Sequence, residues 1–185
     1  LIAGLQDGEV ATIFRDLDPD DRVWLLDELP ASLAPRLLQG LTEEERQLTA
    51  QVLGYPRGSV GRRMSPEYVS VRHDHTVDQA LQRVYAKLDR AETVYVLPVV
   101  DESRRVVGVV GLRDLLLADA NSEIRAVMSP ADVCIAKRSA ESAARTCADL
   151  GVLALPIVDN ENRLVGLLTI DDAVRILEHE ETEDA

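Results

Sequence analysis

The densest group of carboxylates lies at the end of the chain. Within seven consecutive positions the sequence has Glu178, Glu180, Glu181, Glu183 and Asp184, and the preceding apolar pattern predicts that they close a helix. Negative charge is unfavourable at that end of a helix, and like charges one turn apart repel each other. A hard divalent cation such as Mg²⁺ would offset both effects, because it takes oxygen ligands, keeps several waters and binds through one or two carboxylates. The alternative is a frayed acidic tail.

Other residue types that do chemistry lack the partners that would make a site. His73 and His75 could share one side of a strand, but no Cys or third His accompanies them, so we predict exposed loop residues. Cys134 and Cys147 do not have a metal-ligand spacing and are too few for a disulfide framework; we predict inert core residues in a reducing compartment. No nucleophile with its base and no glycine-rich phosphate loop is recognisable. We therefore predict that the protein is not an enzyme.

The composition favours cations as ligands. The chain of 185 residues has 33 acidic and 20 basic residues, a net charge of −13. This balance argues against a nucleic-acid groove or an anionic membrane surface, and 3% aromatic residues leave little for stacking bases. No run approaches the roughly 20 apolar residues of a membrane span. Because the chain begins with Leu1, we expect it to be a piece of a longer protein.

The chain contains an internal duplication that organises its second part. Residues 97–114 read LPVVDESRRVVGVVGLRD, and residues 155–172 read LPIVDNENRLVGLLTIDD, 58 positions later. Each copy has an apolar run, a polar turn opened by Asp101 or Asp159, a second apolar run through Gly108 or Gly166, and an acidic residue where a helix should begin. This pattern predicts a β-hairpin that leads into a helix, with buried strands rich in Val and Leu.

The duplication extends upstream to a repeated Met-Ser-Pro motif, at Met64 and again at Met128. These motifs are 64 positions apart, so the first copy has about six extra residues, most simply in a longer helix. Each copy has the order β-α-β-β-α, and the helices after the first strands are opened by Thr76 and Ser139. The two copies should pack together across a pseudo-twofold axis, since neither covers its own sheet. The predicted strands are 68–71, 94–100, 106–110, 133–136, 155–158 and 164–169.

The first part of the chain, up to about residue 54, reads as short helices. Leu17, Leu29, Leu41 and Leu53 recur every 12 residues, and helix-start residues follow the first three. The last of these, Thr42, is predicted to form a capping box with Glu45. Such units cannot bury their apolar faces alone, so they should stack into a small superhelix. An ordinary helical bundle is the alternative. The glycines and proline of residues 54–58 mark the domain boundary.

Two β-α-β-β-α units with these motifs resemble a CBS-domain pair over about residues 60–178. With the helical region in front and the acidic terminus behind, the whole chain resembles the cytosolic region of the MgtE family of magnesium transporters. The resemblance implies an α+β fold, with a short-helix superhelical N-terminal domain followed by a tandem CBS pair. It divides the chain into an N domain (1–56, shorter than is usual), two CBS repeats (57–122 and 123–178) and the acidic start of a connecting helix (179–185).

The resemblance also assigns metal ligands. Glu180, Glu183 and Asp184 fall on acidic positions that the family uses to bind Mg²⁺ between its connecting helix and its CBS pair. By the same match, Asp20 in the helical domain and Glu141 and Asp172 in the second repeat are further candidates; Asp20 and Glu141 could instead be ordinary acidic residues of a first helical turn. One position departs from the family: Gly151 stands where an acidic ligand can occur, and Asp149 is a possible substitute.

A nucleotide site is a second implication of the resemblance. Gly166, Thr169 and Asp172 fit the glycine-x-x-Thr-x-x-Asp signature of CBS modules, which would place the Thr169 hydroxyl on a phosphate and the Asp172 carboxylate on ribose hydroxyls. In the first copy Gly111 replaces the Thr, so at most one good site for ATP or another adenine nucleotide is expected. A strand end and a helix N-terminus would explain the same residues without a ligand.

The sequence thus leaves three functions open. The first is a regulatory, Mg²⁺-sensing cytosolic domain of a magnesium transporter, on the cytoplasmic side of the cell membrane, with a transmembrane domain after it in the chain. The second is an adenine-nucleotide-sensing CBS module of a soluble regulatory protein. An interaction module that docks partners on its helical repeat is compatible with either. We also expect a homodimer through the CBS pairs, since the apolar helices near residues 112–118 and 173–177 have faces that one pair cannot bury.

Overall fold

The computed structural model describes residues 7–183, and its first part is a four-helix domain. Two helix starts follow from local sequence: Pro19 opens the second helix with its fixed φ, and Thr42 with Glu45 forms the predicted capping box. Phe14, Leu26, Leu37 and Leu41 form the buried centre of this domain. The helices are α1 (Asp7–Asp16), α2 (Pro19–Glu28), α3 (Ala34–Gln39) and α4 (Glu43–Leu53).

The rest of the chain folds as two similar α/β units, which confirms the predicted α+β class. Each has a three-stranded sheet in which a short first strand pairs parallel to the second and the second pairs antiparallel to the third. The first unit comprises β1 (Val71–Arg72), α5 (Val77–Lys87), β2 (Val96–Val100), β3 (Val106–Gly111), α6 (Leu112–Leu117) and α7 (Ile124–Val127). The second comprises β4 (Cys134–Ile135), α8 (Ala140–Leu150), β5 (Ala154–Val158), β6 (Leu164–Thr169) and α9 (Ile170–Glu183).

Equivalent residues of the two units meet, as the predicted pseudo-twofold axis requires. Val100 and Val106 pack with Val158 and Leu164, their counterparts 58 residues later. The Met-Ser-Pro motifs cross over reciprocally: Ser65 exchanges backbone hydrogen bonds with Leu167 in β6, and Ser129 with Val109 in β3. Each motif therefore runs along the glycine-bearing strand of the opposite unit, and the two units are interlocked.

This crossing explains why both third strands carry a glycine. A Cβ at Gly166 would lie 2.5 Å from Met64 Sδ and 2.9 Å from the Ser65 carbonyl oxygen. A Cβ at Gly108 would lie 2.8 Å from the Ser129 carbonyl oxygen and 2.9 Å from Met128 Sδ. All four distances are too short for a Cβ atom, so only glycine at these two positions allows the crossing segment to come this close.

Two predictions about the first unit were wrong. The first strand is Val71–Arg72 and not 68–71, because the segment before it crosses towards the second unit, where the Tyr68 hydroxyl donates to the Leu164 carbonyl oxygen over 3.2 Å. The extra residues of the first copy do not lengthen a helix, since α5 and α8 each have 11 residues. They lie between α5 and β2, in residues 88–95, which we call the insertion loop.

None of the helices between residues 7 and 183 is long and apolar enough to cross a membrane.

Candidate functional site

The candidate site begins at the first turn of α2, where the helical domain faces the CBS-like units. Pro19 starts the helix and Asp20 follows it, so the Asp20 carboxyl projects from the first turn. Asp20 is 3% exposed, and its buried Oδ1 has no hydrogen-bond partner within residues 7–183. Burial, followed by the charges of Asp172, Glu92 and Asp21, raises the pKa of Asp20 to about 8. A perturbed carboxyl that is buried among like charges makes Asp20 a candidate cation ligand.

Asp172 supplies the second carboxyl of this group, from the first turn of α9. Strand β6 ends at Thr169, and the chain turns directly into the helix. The Thr169 hydroxyl donates a hydrogen bond of 2.8 Å to Asp172 Oδ2 and fixes that carboxyl in place. Burial raises the pKa of Asp172 above its ordinary value, with a further contribution from Asp21, although the Thr169 hydrogen bond acts in the opposite direction.

The third carboxyl is Glu92 in the insertion loop, which sequence reasoning missed. The Glu92 backbone N–H donates to the Glu67 carbonyl oxygen over 2.8 Å, which anchors the loop to the segment after the first Met-Ser-Pro motif, and Arg90 of the loop pairs with Glu44 of α4. Burial and then the charges of Asp172, Asp18, Asp21 and Glu67 raise the pKa of Glu92 to about 7. The sequence did contain a sign of this loop. The Met-Ser-Pro motifs are 64 positions apart and the hairpins 58, so the first copy has extra residues that the second copy folds without.

We call Asp20, Glu92 and Asp172, with Asp18, Asp21 and Glu67 at the edges, the acidic group. The charges of Asp18, Asp21 and Glu67 help to raise the pKa values of the central carboxyls, but among the described side chains of residues 7–183 no three Asp, Glu, His or Cys converge closely enough to form a preformed metal cage. The carboxyls are therefore close enough to affect one another electrostatically, but their oxygens do not converge on one point. An all-oxygen, incompletely converged donor set fits hydrated Mg²⁺, which keeps several waters and takes few protein ligands.

The other predicted ligands have different surroundings. Glu141 Oε1 accepts hydrogen bonds of 2.7 and 3.0 Å from Arg145 on its own helix, and it is not among the causes of the raised pKa values of the acidic group. Glu180 is half-buried on the last turns of α9. The Glu183 side chain and Asp184 lie outside the described residues. The assignment of these residues as ligands stays a prediction.

One of the two predicted nucleotide residues, Asp172, is also a member of the acidic group. Thr169 is buried, and its hydroxyl already contacts the Asp172 carboxyl that lies near Asp20 and Asp21. A ribose on Asp172 would therefore compete with the helical domain for the same carboxyl. In the first unit, Gly111 precedes α6 and the equivalent Asp114 is exposed.

Comparison with known proteins identifies both parts of the chain. Residues 1–58 match the family described as the MgtE intracellular N domain. Residues 58–121 and 124–179 each match the CBS domain, and together these matches cover more than half of the chain. The chain belongs to the CBS-domain family and carries an MgtE N domain. The acidic group therefore lies where the N domain meets the CBS pair.

Several relatives match most of the chain, across both of its parts. The magnesium transporter MgtE of Thermus thermophilus is 40% identical over 149 residues, which are 80% of this chain and 32% of the relative. A solved structure described as the soluble part of a magnesium transporter superposes with a TM-score of 0.87 at 29% identity, covering 97% of this chain and 70% of the other. This chain spans about a third of the length of the curated MgtE relatives it matches.

A third relative was solved with a nucleotide. The cytosolic domain of the Mg²⁺ channel MgtE in complex with ATP superposes with a TM-score of 0.82 at 32% identity, over 95% of this chain and 77% of that chain. Its fold and domain order are those of the N domain and CBS pair described above.

Proposed function

We propose that this chain is the regulatory, Mg²⁺-sensing part of a magnesium transporter, on the cytoplasmic side of the membrane. The observation that carries the proposal is the position of Asp20 opposite Asp172 and Glu92. These three carboxyls belong to two different domains, all are at least partly buried, and two have a pKa of about 7 or 8. Their mutual repulsion opposes docking of the N domain on the CBS pair.

Divalent cations would convert this repulsion into attraction. Bound between the two acidic surfaces, Mg²⁺ supplies positive charge that allows Asp20, Glu92 and Asp172 to stay ionised in the docked arrangement. Because binding favours docked molecules over open ones, the population shifts by the difference in affinity between the two states. Glu180, Glu183 and Asp184, near the end of the sequence, are proposed to extend the same response to the segment that would lead to a transmembrane domain.

In the complete transporter the docked state would hold the pore closed when cellular Mg²⁺ is high. This gives feedback inhibition, since the transported ion stabilises the closed form. The net charge of −13 supports the direction of the effect, because an acidic molecule is loosened by self-repulsion and compacted by cations.

Adenine-nucleotide sensing is a second candidate. It is favoured by the Thr169–Asp172 arrangement at the end of β6 and by the relative that was solved with ATP. The two candidates make different demands on Asp172, which would contact a ribose in one case and stay beside the N domain in the other.

Calorimetric titration of the 185-residue chain separates the candidates. We expect saturable Mg²⁺ binding in the low-millimolar range and its loss in a variant with Asp20→Asn, Glu92→Gln and Asp172→Asn. The matched control is Asp16→Asn with Asp78→Asn and Asp132→Asn, which also removes three carboxylates, all of them exposed and outside the acidic group. Equal Mg²⁺ binding by both variants would show that the named carboxylates are not the sensor. Binding of ATP without any response to Mg²⁺ would favour the nucleotide candidate instead.

A further inference from the structure

The face of α2 that carries Asp20 also carries a strongly attractive contact at its other end. Asp20, Trp24 and Asp27 are spaced four and three residues apart, so they follow one another along one side of the helix. Over this distance the helix rises by roughly 10 Å. Asp20 meets negative charge at the beginning of α2, whereas Trp24 and Asp27 meet positive charge towards its end.

Trp24 contacts two arginines that come from opposite ends of the CBS-pair sequence. The Arg63 guanidinium carbon is 3.8 Å from the centre of the indole ring, and that of Arg175 in α9 is 4.7 Å from it. The His179 ring lies 5.5 Å away, tilted by 59°. Trp24 is 7% exposed and belongs to the same apolar cluster as Met64, Leu168 and Ile176. The N domain thus inserts an aromatic side chain into the core of the second CBS unit.

Asp27 adds an ion-pair network next to the ring. Its carboxylate accepts hydrogen bonds of 2.8 and 3.3 Å from Arg62 and one of 3.1 Å from Arg63, and Arg57 lies 3.5 Å away. Burial by itself would raise the pKa of Asp27, but the Arg62 hydrogen bond and the three arginine charges bring it below its ordinary value. One turn before Trp24, Asp21 pairs with Arg175.

We propose that Trp24 and Asp27, with Arg62, Arg63 and Arg175, form a clasp that holds the N domain on the CBS pair without any metal ion. Cation–π contacts and buried ion pairs do not need Mg²⁺, and nothing in the clasp gains repulsion when a cation leaves. Loss of cations from the acidic group then opens α2 at its beginning only, and the N domain pivots about the clasp. This pivot rests on the function proposed above; the metal-independent contact does not.

The clasp has a kinetic consequence. A domain that stays attached at one end keeps Asp20 at a high effective concentration near Asp172 and Glu92. Docking again is then an intramolecular step in which the domain moves only a short distance. The open state is therefore a limited set of orientations, and the response to cations does not require the N domain to find its surface again.

Trp24 is the only tryptophan of the chain, so its accessibility reports on the clasp directly. We expect that acrylamide quenching of wild-type fluorescence in EDTA stays close to its value in Mg²⁺. The Arg63→Gln variant in EDTA should be quenched at least about threefold more strongly, since its indole becomes exposed by local opening. Arg175→Gln, which removes the second cation near the ring, should act in the same direction, and far-UV circular dichroism checks that both variants are folded.

The control is Arg125→Gln, which removes an exposed arginine of α7 that pairs with Glu123 in the first CBS unit. It should be quenched like the wild type. The proposal is overturned if wild-type Trp24 in EDTA is quenched as strongly as in the arginine variants, or if folded arginine variants are quenched like the wild type. A wild-type chain that ignores Mg²⁺ in scattering would refute the sensing function alone, since the clasp is judged in EDTA.

Discussion

Asp20 is a carboxyl group that the fold buries among other carboxyls. Its neighbours in the acidic group come from α9 and from the insertion loop, and burial and like charge together raise the pKa of Asp20 to about 8 and that of Glu92 to about 7. Asp27, two turns along the same helix, has a lowered pKa because three arginines face it. Single residues of one short helix therefore have opposite electrostatic roles.

The raised pKa values predict that docking without metal weakens as the pH rises. Protonated Asp20 and Glu92 are neutral and tolerate burial, so their contribution to stability is fully present below the unfolded-state pKa values of about 4. It is lost progressively as the pH rises from those values to the folded-state pKa values of about 7 and 8, at up to about 1.4 kcal/mol per pH unit for each proton by which the folded and unfolded states differ. In EDTA, the free energy of unfolding should therefore fall between about pH 5 and pH 8 and level off above that range.

Denaturant unfolding of an Asp20→Asn, Glu92→Gln variant tests this residue-scale account. The variant should show a flatter pH dependence than the wild type, because its amides do not titrate, and the exposed-site change Asp16→Asn should behave like the wild type. A wild-type curve with the same slope as that of the double variant would mean that these two carboxyls do not titrate on docking.

At the scale of the elements, the two Met-Ser-Pro segments and the two glycine strands interlock the CBS units. Gly166→Ala should destabilise the chain by about 1–3 kcal/mol, because the new methyl group must displace the Met64 side chain and the Ser65 backbone. Gly8→Ala in α1 is the matched control, since a Cβ there meets nothing within 4 Å. Urea unfolding measures both, and an unchanged midpoint for Gly166→Ala would contradict the close approach.

Elements that are determined by near neighbours could be predicted from the sequence. The capping boxes at Thr42 and Thr76 are formed as expected, because each needs only a partner three residues away. The two β-hairpins lie where they were predicted, because each is formed by two apolar runs that are adjacent in the sequence and occur in both copies. The insertion loop was misplaced into a helix, since a difference in spacing gives the number of extra residues and not their position. The partners of Trp24 lie 39 and 151 positions away, and no local pattern indicates them.

At the scale of the whole molecule, several apolar side chains remain exposed on the CBS pair. Leu116 and Leu117 of α6 are 59% and 76% exposed, and Val174 of α9 is 47% exposed. Two copies of the chain could bury these faces against each other, which is the basis of the expected homodimer.

The predicted homodimer can be tested by placing one charged side chain on the exposed face of α6. Leu117→Glu should give a species of about 20.3 kDa in light scattering at micromolar concentration with Mg²⁺, whereas the wild type should have about twice that mass. Val107→Glu on β3, another exposed apolar position, should leave the wild-type mass unchanged. A monomeric wild type would rule out self-association through these helices under these conditions.

Mg²⁺ is proposed to favour the docked arrangement by acting on the acidic group between the N domain and the CBS pair. Small-angle X-ray scattering of the 185-residue chain across a millimolar Mg²⁺ titration, at constant ionic strength, tests it most directly. We predict that the radius of gyration of the wild type falls as Mg²⁺ rises, and that the Asp20→Asn, Glu92→Gln, Asp172→Asn variant shows no such transition. A wild type and a variant that contract equally, or a wild type that does not contract, would contradict the account.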